Sequence, residues 1–421
     1  MLAGRRSISS TSAAAGPRLG AMTSTRSFQT GITHRPSAVV AATGAHDVVA
    51  ALARAGRDGL AVTVHSTGHG LRRPCDGGLL IDTAAMAGVT VDPGTRTARA
   101  GAGATWGDVV AAAAPHGLRP PHGSAPSVGV VGYLSGGGLG LTVRADGWAA
   151  DHVHAVELAR AGGTVRVSAA SDPRYFARLR GTGPDDGDVV TAVVVGLLGS
   201  DGLVGGGLVR VLGAADAPGD PSALHAWADW TATLPDDVTS GVSVVPYPDL
   251  PFLPAHLRGR RVLRVGVVGT GGPGRTDALL APLRAAVAWD DDTVAPLDPR
   301  ASARVYAEPE FPHAYLGDDL LVDGLDRDGL DRVVARTGPM VVTGIRHLGG
   351  AAGRAPAVAD TVRGRDAAHC VNVLAPFGDD AVPAPVAWRE VDHVLAGFAP
   401  RATRERSHPA FRFGPPRPDA G

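Results

Sequence analysis

Two glycine-rich stretches decide the reading of this chain. The first is Val64-His65-Ser66-Thr67-Gly68-His69-Gly70. The second is Gly123-Ser124-Ala125-Pro126-Ser127-Val128-Gly129-Val130-Val131-Gly132-Tyr133-Leu134-Ser135-Gly136-Gly137-Gly138-Leu139-Gly140. Glycine lets the backbone take positive φ and lets a ligand come close to the main chain. Successive exposed backbone N–H groups in such loops cradle phosphate oxygens. Residues 60–65 read as a buried strand running straight into the first loop. The two loops form a candidate cofactor cradle, with His69 inside it.

Working outward, residues 34–40 read as a short strand. Residues 43–57 read as a helix, with Val48, Val49, Leu52 and Ala53 at helical spacing and Gly59 closing it. Between the loops come a strand at 79–82, a hairpin at 88–100 turning at Asp92-Pro93-Gly94, and a helix at 106–116 opened by Thr105. Beyond the second loop, residues 151–159 and 164–168 make a strand pair. Ser171-Asp172-Pro173 opens a helix reaching Leu179, and residues 188–198 form a Val-rich buried strand. Strands and helices mix without strict alternation, which predicts an α+β fold rather than a doubly wound sheet. Gly205-Gly206-Gly207 marks a boundary. After it the pattern predicts helices at 223–234, 277–288 and 388–398, with strands at 242–245, 262–268, 340–348 and 369–374. That is a second domain, a sheet with helices on one side. The tail from Pro400 is rich in Arg and Pro and reads as poorly ordered. The expected division is a disordered extension over 1–30, a first domain over 31–204, a second over 205–378, and a C-terminal helix and tail over 379–421.

The length of 421 residues suits about two domains at ~150 residues each. A formal net charge of -1 argues against a nucleic-acid or membrane-surface partner through bulk electrostatics. All 40 basic residues are arginine, as a high-GC genome would produce, so the 58 glycines carry weight only where they form a pattern. The two cysteines, Cys75 and Cys370, make no disulfide framework, and no Cys/His spacing predicts a metal site. They fit a reduced, cytoplasmic setting. No apolar run is long enough to cross a bilayer. Arg5 and Arg6 form a twin arginine, but residues 9–20 are small and polar and are interrupted by Pro17, so an export signal is not expected. The stretch reads as a disordered tail, with initiation at Met22 as an alternative.

The ordered series as a whole is more specific than either loop. It runs TGHG at 67–70, LLIDTAAM at 79–86, VTVDPGTRTARAGAGATWGDV at 89–109, GSAPSVGVVGYLSGGGLG at 123–140, GWAADHVHAVELARAGGTVRVSA at 147–169 and DPRYFARLRGTG at 172–183. This series resembles the FAD-binding fold of the vanillyl-alcohol oxidase superfamily. More closely, it is similar to the berberine-bridge-enzyme-like flavin oxidases of bacteria. The resemblance covers residues 34–198 and continues more loosely at 234–240 and 346–351. It implies a PCMH-type two-subdomain FAD-binding domain plus an antiparallel-sheet substrate domain covered by helices. It also implies roles for particular residues. Ser66, Thr67, Gly68, His69 and Gly70 would hold the FAD pyrophosphate, and His69 would bond covalently to the benzenoid methyl of the isoalloxazine. Ser124, Ala125, Val128, Gly129, Gly132, Tyr133, Gly136 and Gly137 would form the second flavin loop. Asp151, Val189 and Val190 would line the adenine and ribose side. Ala125 stands where many relatives carry a second, cysteinyl anchor, so a single covalent link is implied. Val128 holds the position that is small where dioxygen reaches the flavin, which favours an oxidase. Tyr133 sits where many relatives place a His near the ring.

The reaction implied is hydride transfer from a C–H bond to flavin, while a base takes the proton of the adjacent O–H or N–H. Dioxygen would then reoxidise the flavin to give hydrogen peroxide. The implied substrate is a small alcohol, sugar or secondary metabolite. The family's base is commonly the Tyr of a Tyr-x-Asn motif. One alignment places Cys370-Val371-Asn372 there and another His408-Pro409-Ala410-Phe411, and neither supplies a Tyr. The usual closing segment is absent, with Phe411-Arg412-Phe413 either a remnant or a coincidence. The stretch Gly181-Thr182-Gly183-Pro184-Asp185-Asp186-Gly187 also departs from the family's Gly-Gly-Asn-Phe-Gly. The catalytic candidates are His347, Tyr133 and Asn372, with Tyr315 behind them. Strand alternation lets only one of Arg346 and His347 face the flavin, and Arg346 would suit an anionic substrate. Three readings follow: a working oxidase, a degenerate member that binds flavin or ligand without redox catalysis, and a flavin dehydrogenase using another acceptor. Substrate and oligomeric state stay open.

Overall fold

The structure is a computed structural model that describes residues 27–251, 253–379 and 381–417. The twin arginine and Met22 lie outside the described residues. The first domain opens with β1 (Ala38–Ala41), α1 (Ala45–Asp58), β2 (Val62–His65) and β3 (Leu79–Asp82). The three strands form a parallel sheet in the order β1-β3-β2. Leu79, Leu80 and Ile81 of the central strand are fully buried, as an unbroken apolar run requires when both sheet faces are covered. One covering layer is α1, which buries Val48, Ala51, Leu52 and Ala55.

The second subdomain comprises β4 (Val89–Asp92), β5 (Thr97–Gly101), α2 (Trp106–Ala113), β6 (Leu118–Arg119), α3 (Val130–Ser135), α4 (Val143–Asp146), β7 (Val153–Arg160), β8 (Gly163–Val167), α5 (Pro173–Leu179), β9 (Val189–Gly196) and β10 (Leu198–Gly199). Its main sheet is antiparallel in the order β4-β5-β9-β7-β8. The helix start at Thr105 is a capping box. Its hydroxyl accepts from the Asp108 N–H, and the Asp108 carboxylate accepts from the Thr105 N–H at 2.9 Å. Asp172 caps α5 in the same sense, accepting from the Tyr175 N–H at 3.0 Å.

The second domain holds β11 (Val204–Ala214), α6 (Ser222–Thr231), β12 (Val238–Pro246), β13 (Arg260–Gly269), α7 (Pro273–Ala286), β14 (Asp291–Asp292), β15 (Ala295–Pro296), β16 (Tyr315–Val322), α8 (Arg327–Ala335), β17 (Val342–His347), β18 (His369–Pro376) and α9 (Ala384–Ala396). The strands form one antiparallel sheet, β14-β11-β13-β12-β17-β18-β16, with β15 also on β11. Successive side chains alternate between faces. One face carries Leu208, Val242, Val265, Ile345, Val371 and Leu320, packed against Trp227 of α6, Leu280 of α7, Val333 of α8 and Val391 of α9. Each such side chain contributes about 1.5–3 kcal/mol on full burial. The opposite face carries Gly207, Gly266, Gly241 and Gly344 beside Ser243, Arg264, Arg346 and Asn372. A Cβ on Gly241 would lie 2.8 Å from the Tyr306 hydroxyl, and one on Gly344 would lie 2.6 Å from the Asn372 amide oxygen. These glycines let long polar side chains lie flat on the sheet.

Three sequence expectations need correction. The glycine run 205–207, read as a boundary, falls at the start of β11, where bare backbone is needed beneath Arg264 and against the backbone at Thr293. Strand β16 and helix α8 were not expected. In β16 two aspartates interrupt the apolar run, although all eight residues are buried. Residues 27–30, assigned to a disordered extension, are built in, with Gln29 fully buried. The tail beyond Pro400 is also ordered through Arg417. Phe413 exchanges backbone bonds with Gly317, His408 stacks on Trp148, and Arg417 pairs with Asp318 and Asp392 while lying over Trp388. Its composition resembles disorder, but its charges are matched by partners far away in sequence.

The domains are joined through Arg144 of α4. Its buried guanidinium donates to the carbonyls of Val238, Leu234 and Leu348, at 3.0 and 3.1 Å for the first two. Arg144→Met removes every one of these bonds and strands carbonyls at the junction. It is expected to cost about 3 kcal/mol, since charged hydrogen bonds contribute roughly 1.5–3 each. Urea unfolding followed by Trp fluorescence measures this, and a loss of cooperativity between the domains should accompany it.

Candidate functional site

Between the glycine loops and the glycine-paved sheet face lies a cavity of about 2780 Å³. Pockets for drug-sized ligands are roughly 300–1,000 Å³, so this one has room for a dinucleotide and a substrate together. Its first wall includes Ser66, Thr67, Gly68, His69 and Gly70, then Ser124, Ala125, Val128, Gly129, Gly132, Tyr133 and Gly136, with Val189 and Val190 beyond. Gly68 has φ +74°, which turns the first loop back on itself, and a Cβ there would strike the Ser27 hydroxyl. Gly70 and Gly132 have open space where a Cβ would stand. The Ser66 hydroxyl is buried and has no partner among the described residues. Bare backbone, open approach and an unmatched buried hydroxyl are what a phosphate-bearing ligand requires, so the residues present fit FAD.

His69 is ordered from three sides. Its Nε2 lies 2.9 Å from the Ser127 hydroxyl, its ring stacks on Phe28, and its carbonyl accepts from the Tyr315 hydroxyl at 2.6 Å. Burial, with His313 nearby, lowers its pKa to about 4, so the imidazole is neutral at neutral pH. Ala125 lines the cavity without a sulfur atom.

The opposite wall carries a polar cluster with one member that sequence reasoning missed. Glu308 accepts from the Ser124 hydroxyl with one carboxylate oxygen and from Arg346 Nη2 at 3.2 Å with the other. The Arg346 guanidinium lies 3.6 Å from the Tyr306 ring centroid. Glu308 sits in an irregular loop, so no periodicity marks it. Its neighbour Ala307 has φ +51°, a conformation that non-glycine residues rarely adopt, and only the folded backbone reveals this. Tyr133 stands edge-on to Trp106 at 5.4 Å, with its buried hydroxyl lacking a partner among the described residues. Burial and the Glu308 carboxylate push its pKa well above the usual tyrosine range. Tyr133 is therefore a protonated hydrogen-bonding group and not a base. Asn372 lines the cavity with its side-chain oxygen unmatched among the described residues.

Three candidates stand elsewhere in function. His347 touches the cavity edge, but it is on the opposite strand face from Arg346. There Arg144 Nη1 contacts its Nε2 at 3.1 Å and the His369 ring stacks at 5.3 Å. Burial and the Arg144 charge lower its pKa to about 2, so it braces the domain junction. Asp151 points away from the cavity, capping the Trp148 N–H at 2.9 Å and pairing with Arg365 at 2.6 Å. Gly137 is packed against Val362 and His408. All three take these places through partners distant in sequence.

A family model described as an FAD binding domain matches residues 36–168, the span that holds both loops. Residues 36–168 thus form an FAD binding domain, and over this part the chain is similar to FAD-linked oxidoreductases and berberine-bridge-enzyme-like proteins. The chain is 35% identical over 166 residues to (R)-6-hydroxynicotine oxidase of Paenarthrobacter nicotinovorans, covering 39% of this chain and 36% of that protein. It is 35% identical over 178 residues to aclacinomycin-N/aclacinomycin-A oxidase of Streptomyces galilaeus, covering 39% and 33%. The matched stretch spans about a third of each curated relative's length. The fold extends further. 6-Hydroxy-D-nicotine oxidase from Arthrobacter nicotinovorans superposes with a TM-score of 0.73 over 90% of this chain and 84% of that one, at 24% identity. The BBE-like 1 protein of Physcomitrella patens does so at 0.76 over 92% and 86%, at 18% identity. An α+β flavin fold with a second, antiparallel-sheet domain is thus common to all three.

Asp319 of β16 pairs across to Asn372 and lies behind the cavity wall. Its Oδ2 accepts from the His408 N–H at 2.7 Å, and its Oδ1 has no partner among the described residues. Burial above all raises its pKa from 3.8 to about 8. Between those values the folded protein holds a proton that the unfolded chain has released, so stability falls as pH rises through this window. Asp319→Asn, which keeps an acceptor for His408, should raise Tm by roughly 2–5 °C at pH 8. The difference should vanish towards pH 4 in a thermal melt series.

Proposed function

We propose that this protein is an FAD-dependent oxidase of a small molecule, with its FAD linked through His69 alone and dioxygen as electron acceptor. One observation carries the reading. A single cavity has the glycine loops, His69 and Tyr133 on one wall, and the Glu308–Arg346 pair with Asn372 on the other. The relatives support it by name, as oxidases of 6-hydroxynicotine, aclacinomycin and xylooligosaccharides. Those substrates differ widely, so the substrate is not inherited from the fold.

FAD, when bound, supplies a two-electron acceptor for a substrate hydride. The remaining work falls to side chains. Glu308 takes the O–H or N–H proton of the substrate onto a carboxylate oxygen as the adjacent C–H bond gives up its hydride. This provides the base that neither Cys370 nor Ala410 can offer in place of a tyrosine. Arg346, stacked on Tyr306, fixes the orientation of that carboxylate. The Tyr133 hydroxyl, held protonated, donates to a substrate oxygen, and Asn372 provides a second polar contact. The apolar side chains of Val342 and Leu374 line the same cavity.

The first test is the visible spectrum before and after acid precipitation, for the wild type and His69→Ala. Yellow colour should stay in the wild-type pellet and leave with the variant's supernatant. Photoreduced wild type should regain its colour on admitting air, with stoichiometric peroxide. A folded but colourless protein would overturn the oxidase reading in favour of a degenerate member, and reduced flavin that ignores air would indicate a dehydrogenase.

A second test takes any substrate found by screening alcohols, amines and sugars for peroxide release. With it, Glu308→Gln should slow anaerobic flavin reduction by about 100-fold or more, the range of general-base contributions, while keeping full colour. A rate within threefold of wild type would remove Glu308 from the mechanism.

A further inference from the structure

Residues 27–31 run across the first glycine loop and tie it to the second domain. The Phe28 N–H donates to Thr67 O at 3.0 Å and the Gln29 N–H to Gly68 O at 3.3 Å. On the other side, the His313 N–H donates to Phe28 O at 3.0 Å and the Thr30 N–H to His313 O at 3.1 Å. The Gln29 side chain, fully buried, donates to the Tyr315 carbonyl. This strap lays the Phe28 ring flat on the His69 imidazole, with centroids 3.7 Å apart and planes 15° from parallel. Ser127, from the other glycine loop, meets His69 Nε2 at 2.9 Å. Nδ1 of His69 has no hydrogen bond among the described residues. An imidazole needed only to fill a turn would require neither a stacked ring nor a hydroxyl held against its Nε2.

We propose that Ser127 and Phe28 are positioning residues for covalent attachment of flavin at His69. Ser127 Oγ accepts the Nε2 proton and so fixes the tautomer whose lone pair is on Nδ1, and Phe28 fixes the plane of the ring. The inference rests on the covalent reading proposed above. A serine hydroxyl can donate or accept, and acceptance by Ser127 Oγ puts the proton on Nε2 and leaves the lone pair on Nδ1. The low pKa of His69 agrees, because a protonated imidazole has no lone pair to offer.

In the step, His69 Nδ1 forms a C–N bond to the methyl carbon on the benzenoid ring of bound FAD. One C–H bond of that methyl breaks and its proton goes to solvent. The Nε2 proton leaves by way of Ser127. Two electrons pass through the flavin to dioxygen, which takes up two protons and departs as hydrogen peroxide. Ser127 and Phe28 are unchanged at the end, as positioning residues must be.

The experiment uses the full chain made flavin-free by expression in riboflavin-limited culture, then incubated with FAD in air. Covalent flavin is followed by in-gel fluorescence after denaturation, and total flavin by absorbance before it. Ser127→Ala should attach flavin at least tenfold more slowly than wild type while binding FAD to the same total. Ser127→Thr, which keeps the hydroxyl, should attach within threefold of wild type. Phe28→Leu should be slowed three- to tenfold. Labelling with ¹⁵N-histidine gives a readout free of flavin chemistry. The flavin-free wild type should show the Nε2–H tautomer of His69, and Ser127→Ala should show a mixture. Wild-type attachment with an unaffected Ser127→Ala rate would overturn this proposal alone. Colour lost from wild type on denaturation would overturn the covalent reading and this proposal with it. Melting curves exclude misfolding, and should Ser127→Ala fail to fold, slow attachment by a folded Phe28→Leu together with the wild-type tautomer decides the outcome.

Discussion

The period of two along an antiparallel strand is the constraint on which this structure depends. Once α6, α7, α8 and α9 cover one face of the large sheet, every odd or even partner of the covered residues must face the other way. That second face carries glycine, serine, asparagine and arginine, which cannot be packed under a helix without leaving polar groups unmatched. It is therefore covered at a distance, by the flavin domain, and the space between becomes the cavity. The buried Arg144 of the first domain holds that spacing by bonding three carbonyls of the second.

The same geometry sorts neighbours in sequence into different chemical worlds. Arg346 lies on the open face with Glu308 and Tyr306, whereas His347 is turned into the junction with Arg144 and His369. Burial then sets the charge state of each. His69 and His347 are held neutral, and Tyr133 is held protonated. What remains on the cavity wall beside Tyr133 is a carboxylate whose two oxygens are already oriented, one by a hydroxyl and one by a guanidinium. On the function proposed above, proton acceptance by Glu308 and hydrogen-bond donation by Tyr133 fall to different residues of one cavity.

The C-terminal tail closes the far side of this arrangement. It adds Phe413 to the edge of β16 and places His408 against Trp148. At the other end, Phe28 and Gln29 strap the first glycine loop to the residues leading into β16. Both terminal segments have weak internal patterns. They owe their order to aspartates, carbonyls and rings contributed by residues distant in sequence.

The sequence by itself determined the flavin half of this protein. The glycine loops, the capping box at Thr105, the unbroken apolar run of β3 and the helical spacing of α1 are local signals, because each follows from interactions within a few residues. So do the position of His69 in its loop and the missing sulfur at Ala125. The opposing wall was legible only in part. Alternation in β17 announced that Arg346 and His347 must diverge, but which of them faces the cavity depended on where the helices packed. Glu308, the ordered ends of the chain, and the reassignment of Asp151 and Gly137 were decided by tertiary structure alone. The reason is the same in each case. These residues take their roles from partners with no fixed spacing in the chain, and only a folded backbone brings those partners within bonding distance.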